Sequence, residues 1–262
     1  MAKDIDNSPV ESVQQAAEHA AQQETAAHPV RRARTIIFQI YLLAAIAIFS
    51  LLAWIASTTA YLPIDLSISH AIQLLQFAGF NPLMRLISWF GFFPQSMVVI
   101  LVISIILYLA GLRWEAVFSL LLVIFDALIN TVVKVVVQRP RPDPSLVNVL
   151  ANLGSYSFPS GHVMFYTVYF GFLFFLVYTL MQHSWLRTLL LLVFGGLVLL
   201  VGLSRIYEGE HWASDVLAGY LLGSLILAGG IIIYRWGKPK FFANQPTAPA
   251  APEEIQNGMK SK

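Results

Sequence analysis

Apolar residues run almost without interruption from Ile36 to Trp236, broken only by short polar segments. Hydrocarbon offers no partner for a backbone N–H or C=O, so a chain lying in it must satisfy those groups internally, as helices or as a closed barrel. The runs are long and continuous rather than alternating, which selects helices. Of 262 residues, 57% are hydrophobic and 11% charged, against roughly a quarter charged in a soluble domain.

The pattern predicts an all-α polytopic membrane protein with six transmembrane helices, since each span needs about 20 apolar residues. The expected spans are Ile36–Tyr61, Ser96–Leu112, Trp114–Val137, His162–Met181, Leu186–Leu203 and Ala213–Trp236. The second is the shortest. Together, residues 35–237 read as one six-span domain. Residues 1–34 are polar and end in Arg31-Arg32-Ala33-Arg34, and residues 238–262 carry Pro, Ala and charge. Both read as disordered cytoplasmic tails, with a helix-friendly stretch at Glu11–Ala27. No apolar stretch precedes the basic cluster, so the first span is expected to act as a signal anchor.

Between spans one and two, Ile64, Ile68, Ala71, Ile72 and Leu75 share one face of a helix, with Asp65, Ser69, Gln73 and Gln76 off it. This reads as an interfacial helix or as a packed loop. Leu83, Leu86, Ile87 and Phe90 suggest a second short piece.

Placing both termini inside puts eleven of the sixteen Lys and Arg residues on the cytoplasmic side and five outside. This is the expected bias. A net charge of +2 is too small to argue for nucleic acid, and the absence of Cys excludes a thiolate nucleophile.

Three clusters fall at span edges, and six spans bring them all to the outer face. The first is Lys134 with Arg141-Pro142, cations and a planar fork suited to phosphate oxygens. The second is Pro159-Ser160-Gly161-His162, where Ser160 suits an N-cap and the following N–H groups form an anion site. The third is Ser204-Arg205 with His211 and Asp215. His211 and Asp215 stand four apart, so on a helix they share a face. Asp215 can then accept from one ring nitrogen and leave the other as a nucleophilic lone pair. The pair could also be a structural bond or half of a metal site, but the outer Glu208, Glu210, Asp65 and Asp143 show no recognisable ligand spacing. Together the parts suit phosphoryl transfer: His211 as nucleophile, Asp215 as its orienter and His162 as general acid.

In order, spacing and position these clusters resemble the three-part signature of the type 2 phosphatidic acid phosphatase superfamily, over about residues 95–237. The resemblance implies a metal-independent hydrolase, without cofactor, that acts on a lipid phosphate through phosphohistidine at the outer face of the cell membrane. It assigns phosphate binding to Lys134, Arg141, Ser160, Gly161 and Arg205, and catalysis to His162, His211 and Asp215. Implied substrates are undecaprenyl diphosphate, phosphatidylglycerol phosphate and phosphatidic acid, which belong to cell-wall and phospholipid metabolism. A phosphotransferase would use the same residues. A non-catalytic lipid-binding relative would be expected to lack one of the two His.

Outside the signature, Asp126, Asn130 and Lys134 form a polar stripe at i, i+4 and i+8. Asn130 is expected to support the Lys134 ammonium. Asp126 either lies deeper in that support or simply bonds a neighbouring helix. Arg139 is expected to reach the phosphate or a lipid headgroup. Tyr156, Phe158, Tyr207 and Trp212 read either as an interfacial aromatic belt or as a lipid path.

Overall fold

The computed structural model describes the backbone of residues 9–150 and 153–242, and side chains within 32–150 and 153–238. Those residues form eight helices: α1 (Pro9–Thr58), α2 (Pro63–Gln73), α3 (Phe80–Trp89), α4 (Gln95–Leu109), α5 (Arg113–Val137), α6 (Gly161–Leu180), α7 (Trp185–Tyr207) and α8 (Ala213–Phe242). Five are long and apolar enough to cross a membrane: Arg32–Thr58 of α1, α5, α6, α7 and Ala213–Lys238 of α8. The expected second span appears as α4, of 15 residues, a rise of about 22 Å at 1.5 Å per residue.

Contacts divide the chain into Met1–Ser50 and Leu51–Lys262. The first unit holds most of α1, whose helix begins at Pro9. Helical backbone therefore covers 9–34, where the sequence reads as a disordered tail; Ala, Gln and Glu there are good helix formers. Residues 243–262 of the second expected tail lie outside the described residues.

The second unit is built around α6. Of its apolar window 61% is buried, against 22–28% for α5, α7 and α8. Val163, Met164, Tyr166, Val168 and Phe172 are fully enclosed, and one turn, Tyr166–Phe170, widens to a π helix. The neighbouring helices turn an apolar face outward, as lipid requires. Ile124, Leu128 and Val132 of α5 and Leu192 and Leu199 of α7 are all more than half exposed. At one end of the bundle, buried Glu115 at the start of α5 accepts from Tyr234 Oη and Lys238 Nζ, both at 2.7 Å, late in α8.

The segment between α1 and α4 forms two helices, and α2 packs residues from both of its faces inward. Asp65 and Ser69 are buried, while Ile64 is 61% and Leu75 41% exposed. Ile68 and Ile72 of the apolar face pack against the core, while Asp65 of the polar face accepts from the Ser214 N–H at the start of α8. In α3, Met84 and Ile87 turn inward and Leu83 and Leu86 outward.

α2 also fastens the connection that follows α5. Gln73 donates to the carbonyls of Asn148 (2.7 Å) and Tyr207 (3.1 Å), and the Asn148 N–H donates to Gln73 Oε1 (3.0 Å). Nearby, Gly209 takes φ +68°, and a Cβ there would lie 2.2 Å from the Asn148 carbonyl oxygen. Gly209→Ala is expected to cost about 1–3 kcal/mol from backbone strain alone. A thermal unfolding midpoint equal to that of the parent protein in the same detergent would refute this.

Candidate active site

Four helix ends meet at one end of the bundle: the C-termini of α5 and α7 and the N-termini of α6 and α8. The Ser160 N–H donates to the Asp215 carbonyl (3.1 Å), tying the start of α6 to that of α8. A cavity of about 400 Å³ opens there, lined in part by Gly91, Phe92, Lys134, Arg141, Gly161, His162 and His211. The three sequence clusters thus contribute to one space.

Lys134 Nζ donates to the carbonyls of Tyr156 (2.5 Å) and Ser157 (3.4 Å). Arg141 donates through Nε to the Ser155 carbonyl (2.7 Å) and through Nη1 to the Glu210 carbonyl (2.7 Å). The same Nη1 lies 3.3 Å from His211 Nε2. Lys134 and Arg141 pair with backbone oxygens rather than carboxylates, so their charge is not cancelled locally. Burial brings Arg141 down to about 10, with Asp215 opposing that shift, so the guanidinium is still charged at neutral pH.

His211 is buried and sits at the centre. Burial lowers its proton affinity well below the usual value, and Arg141, Lys134 and Arg205 lower it further. The ring is therefore neutral near pH 7. Nε2 faces the Arg141 donor, which leaves the proton on Nδ1, toward Ser157 and Asp215.

His162 lines the opposite side of the cavity. Its ring meets Phe92 edge to face at 4.6 Å between centroids. A Cβ on Gly91 would fall 2.2 Å from His162 Cδ2, so only Gly lets that loop pass so close. His162 Nε2 has no hydrogen-bond partner among the described residues.

The remaining expected site residues stand behind the cavity wall. Ser160 occupies the cap position of α6 but makes no side-chain cap bond, and its Oγ is buried. Arg205 is fully buried, ion-paired with Glu208 at 3.0 Å and with Glu210, and lies over the Phe92 ring. Asn130 does not bond Lys134. It donates to Met164 Sδ (3.1 Å) and the Pro159 carbonyl (3.4 Å), and its Oδ1 lies beneath Gly161. It supports the 159–161 turn rather than the ammonium. Asp126 is buried, with Oδ1 unbonded among the described residues.

Two further corrections concern Arg139 and Asp215. Arg139 is 1% exposed and reaches neither the cavity nor a lipid surface. Its guanidinium holds Asp215 Oδ1 (2.5 Å), Asp65 Oδ2 (2.9 Å), Ser214 Oγ (2.7 Å) and the Ala60 carbonyl (3.0 Å). Asp215 Oδ2 is 3.7 Å from His211 Nδ1, too far for the expected direct bond. Ser157 stands between them. Asp65 and Ser157 carried no role in the sequence reading. The available signals were a lone carboxylate in an apolar helix and a hydroxyl two residues before Pro159.

The fold and the site define a helical membrane enzyme of the phosphatase class. The family model described as PAP2 superfamily matches residues 114–240. Phosphatidylglycerophosphatase B of Bacillus subtilis (strain 168) is 34% identical over 179 residues, covering 68% of this chain and 87% of that protein. The crystal structure of a transmembrane PAP2 type phosphatidylglycerolphosphate phosphatase from B. subtilis superposes with TM-score 0.64 at 30% identity. It covers 76% of this chain and 96% of that one. LpxE of Aquifex aeolicus shares the fold, with TM-score 0.53 at 21% identity over 65% of this chain and 96% of that one. The chain belongs to the PAP2 superfamily.

The electrostatics of His211 are directly measurable. In ¹⁵N-histidine NMR of the detergent-solubilised protein, with His211→Gln for assignment, the ring is expected to titrate below pH 6.5, its ordinary value. Arg141→Ala removes a cation beside it and is expected to raise the midpoint. A midpoint at or above 6.5 in the parent protein counts against this account.

Proposed function

We propose that the chain hydrolyses a lipid phosphate, without metal, through a phosphohistidine on His211, with phosphatidylglycerol phosphate the first substrate to test. One observation carries this reading: His211, with Nε2 3.3 Å from Arg141 Nη1, lines the cavity that Lys134, Arg141, Gly161 and His162 also line. The choice of lipid follows the B. subtilis relatives named for that activity.

In the proposed first step the phosphate enters among Lys134, Arg141 and the first N–H groups of α6. Arg141 Nη1 turns from His211 to a phosphate oxygen. Nε2 attacks phosphorus, the bond to the lipid oxygen breaks, and His162 delivers a proton to that oxygen. The phosphohistidine carries positive charge on its ring, opposite the carboxylate of Asp215. In the second step His162 takes a proton from water, whose oxygen attacks phosphorus. The P–N bond breaks, and inorganic phosphate leaves. Ser160 and Arg205, behind the wall, shape the turn and the field rather than touch the anion.

Phosphate release by the purified protein from phosphatidylglycerol phosphate is expected to persist in excess chelator. It should vanish in His211→Ala and fall by about 10²–10⁴-fold in His162→Ala. Release that needs a divalent cation, or that survives in His211→Ala, would overturn the mechanism.

We also propose six spans, with α4 the second, both termini cytoplasmic and the site facing outward. The Lys and Arg bias supports this orientation, as does the gathering of all three clusters at one end of the bundle. The chain has no native Cys, so single reporters are unambiguous. Asp143→Cys is expected to react with a membrane-impermeant maleimide in intact cells, and His183→Cys only after lysis. The reverse pattern would invert the topology.

A further inference from the structure

The nucleophile assigned above is not held by Asp215 directly. Asp215 Oδ2 and His211 Nδ1 are 3.7 Å apart. The Ser157 hydroxyl lies 2.5 Å from Asp215 Oδ2 and 3.4 Å from His211 Nδ1, fully buried. A hydroxyl both donates and accepts, so it can donate to the carboxylate while presenting a lone pair toward the ring. The Ser157 backbone is fixed as well: its N–H donates to the Arg139 carbonyl at 2.9 Å.

Asp215 is fixed in turn from the other side. Oδ1 is held by Arg139, and Oδ2 also accepts from the Trp212 N–H (3.0 Å). Arg139 is oriented by Asp65 on α2. Asp65 additionally accepts from the Ser214 N–H (2.8 Å), the Ser214 hydroxyl (2.8 Å) and the Leu62 N–H (3.1 Å). Asp65, Arg139 and Asp215 are each at most 1% exposed. Two carboxylates and one guanidinium leave one net negative charge, buried where a phosphorylated ring would be positive.

We propose that Asp65, Arg139 and Ser157 are positioning residues for the reaction, acting in series through Asp215 to aim His211 Nε2 into the cavity. The proposal rests on the reading of His211 as nucleophile. It makes α2, which lies outside the residues 114–240 matched by the family model, part of the active site. It also removes Arg139 from the phosphate ligands.

The test compares the full-length protein with Ser157→Ala and Asp65→Asn in detergent. Inorganic phosphate serves as competitive inhibitor, and ¹⁵N NMR reports the His211 tautomer. Both variants are expected to lower kcat by about 10- to 100-fold, the scale of a displacement on the order of 1 Å at a reacting group. KM and the inhibition constant for phosphate should stay within about threefold, because Lys134 and Arg141 are untouched. The population of the Nδ1–H tautomer should fall, because Arg141 still donates to Nε2 but Nδ1 is less firmly held. A tautomer identical to the parent's in both variants overturns the proposal, as does a kcat within twofold of the parent's. So does a kcat loss matched by an equal loss of phosphate affinity. If one variant does not fold, Arg139→Lys, which keeps the charge but loses the fork, takes its place under the same criteria. Failure of the phosphatase reading shows separately, as a parent protein without activity. In that case the tautomer alone decides whether the positioning chain exists.

Discussion

A guanidinium at 1% exposure is tolerable only if its charge and its donors are met, and Arg139 meets both with two carboxylates from different helices. The pairing fastens α2 and the start of α8 to the segment just after α5. Removing either acid would strand a charge in a medium that cannot solvate it, the costly direction for any buried pair. Arg205 repeats the solution with Glu208 and Glu210. The polar end of an otherwise apolar bundle is therefore rigid because its charges are mutually dependent.

This division of charge also decides what the cavity can bind. Arg139 and Arg205 are neutralised behind the wall. Among the described residues, Lys134 and Arg141 form no ion pair and rest on backbone carbonyls. Two uncompensated cations beside a helix N-terminus match a phosphate dianion in charge and in donor geometry. Asp215 stands close enough to have cancelled them, and Arg139 takes up part of its charge instead. Burial, reinforced by the same nearby positive charge, keeps His211 neutral.

Much of this was legible in the chain. The spacing of Lys134, Arg141, Gly161, His162, His211 and Asp215 is local, and antiparallel spans carry local spacing to one end. What was not legible depends on rotation and depth. Hydrophobic periodicity located α2 and put Asp65 off its apolar face, but could not show that Asp65 is buried against Arg139. Arg139 and Arg141 are two residues apart and chemically identical. Only the left-handed Gln138 (φ +53°) that ends α5, and the turn that follows, send one behind the wall and the other into the cavity. The ion pairs of Arg205 with Glu208 and Glu210 have no sequence signal either, because they depend on how the turn after α7 folds back. Ser157 has no pattern of its own, because its role exists only where the distance between Asp215 and His211 is known.

The short α4 starts beside the same site. Its 15 residues rise about 22 Å, less than the roughly 30 Å of a hydrocarbon core. Gly91, Phe92 and Phe93 are apolar, but Pro94 follows them and disfavours helix in the residue before it. They line the cavity, with Gly91 against the His162 ring and Phe92 in contact with both that ring and the Arg205 guanidinium. An aromatic face satisfies a buried cation without bringing a carboxylate to the phosphate. Its edge also packs His162 without hydrogen-bonding Nε2, which leaves that nitrogen available for proton transfer. The proposed second span therefore starts at Gln95, and the residues before Pro94 form part of the cavity wall instead of a further helical turn.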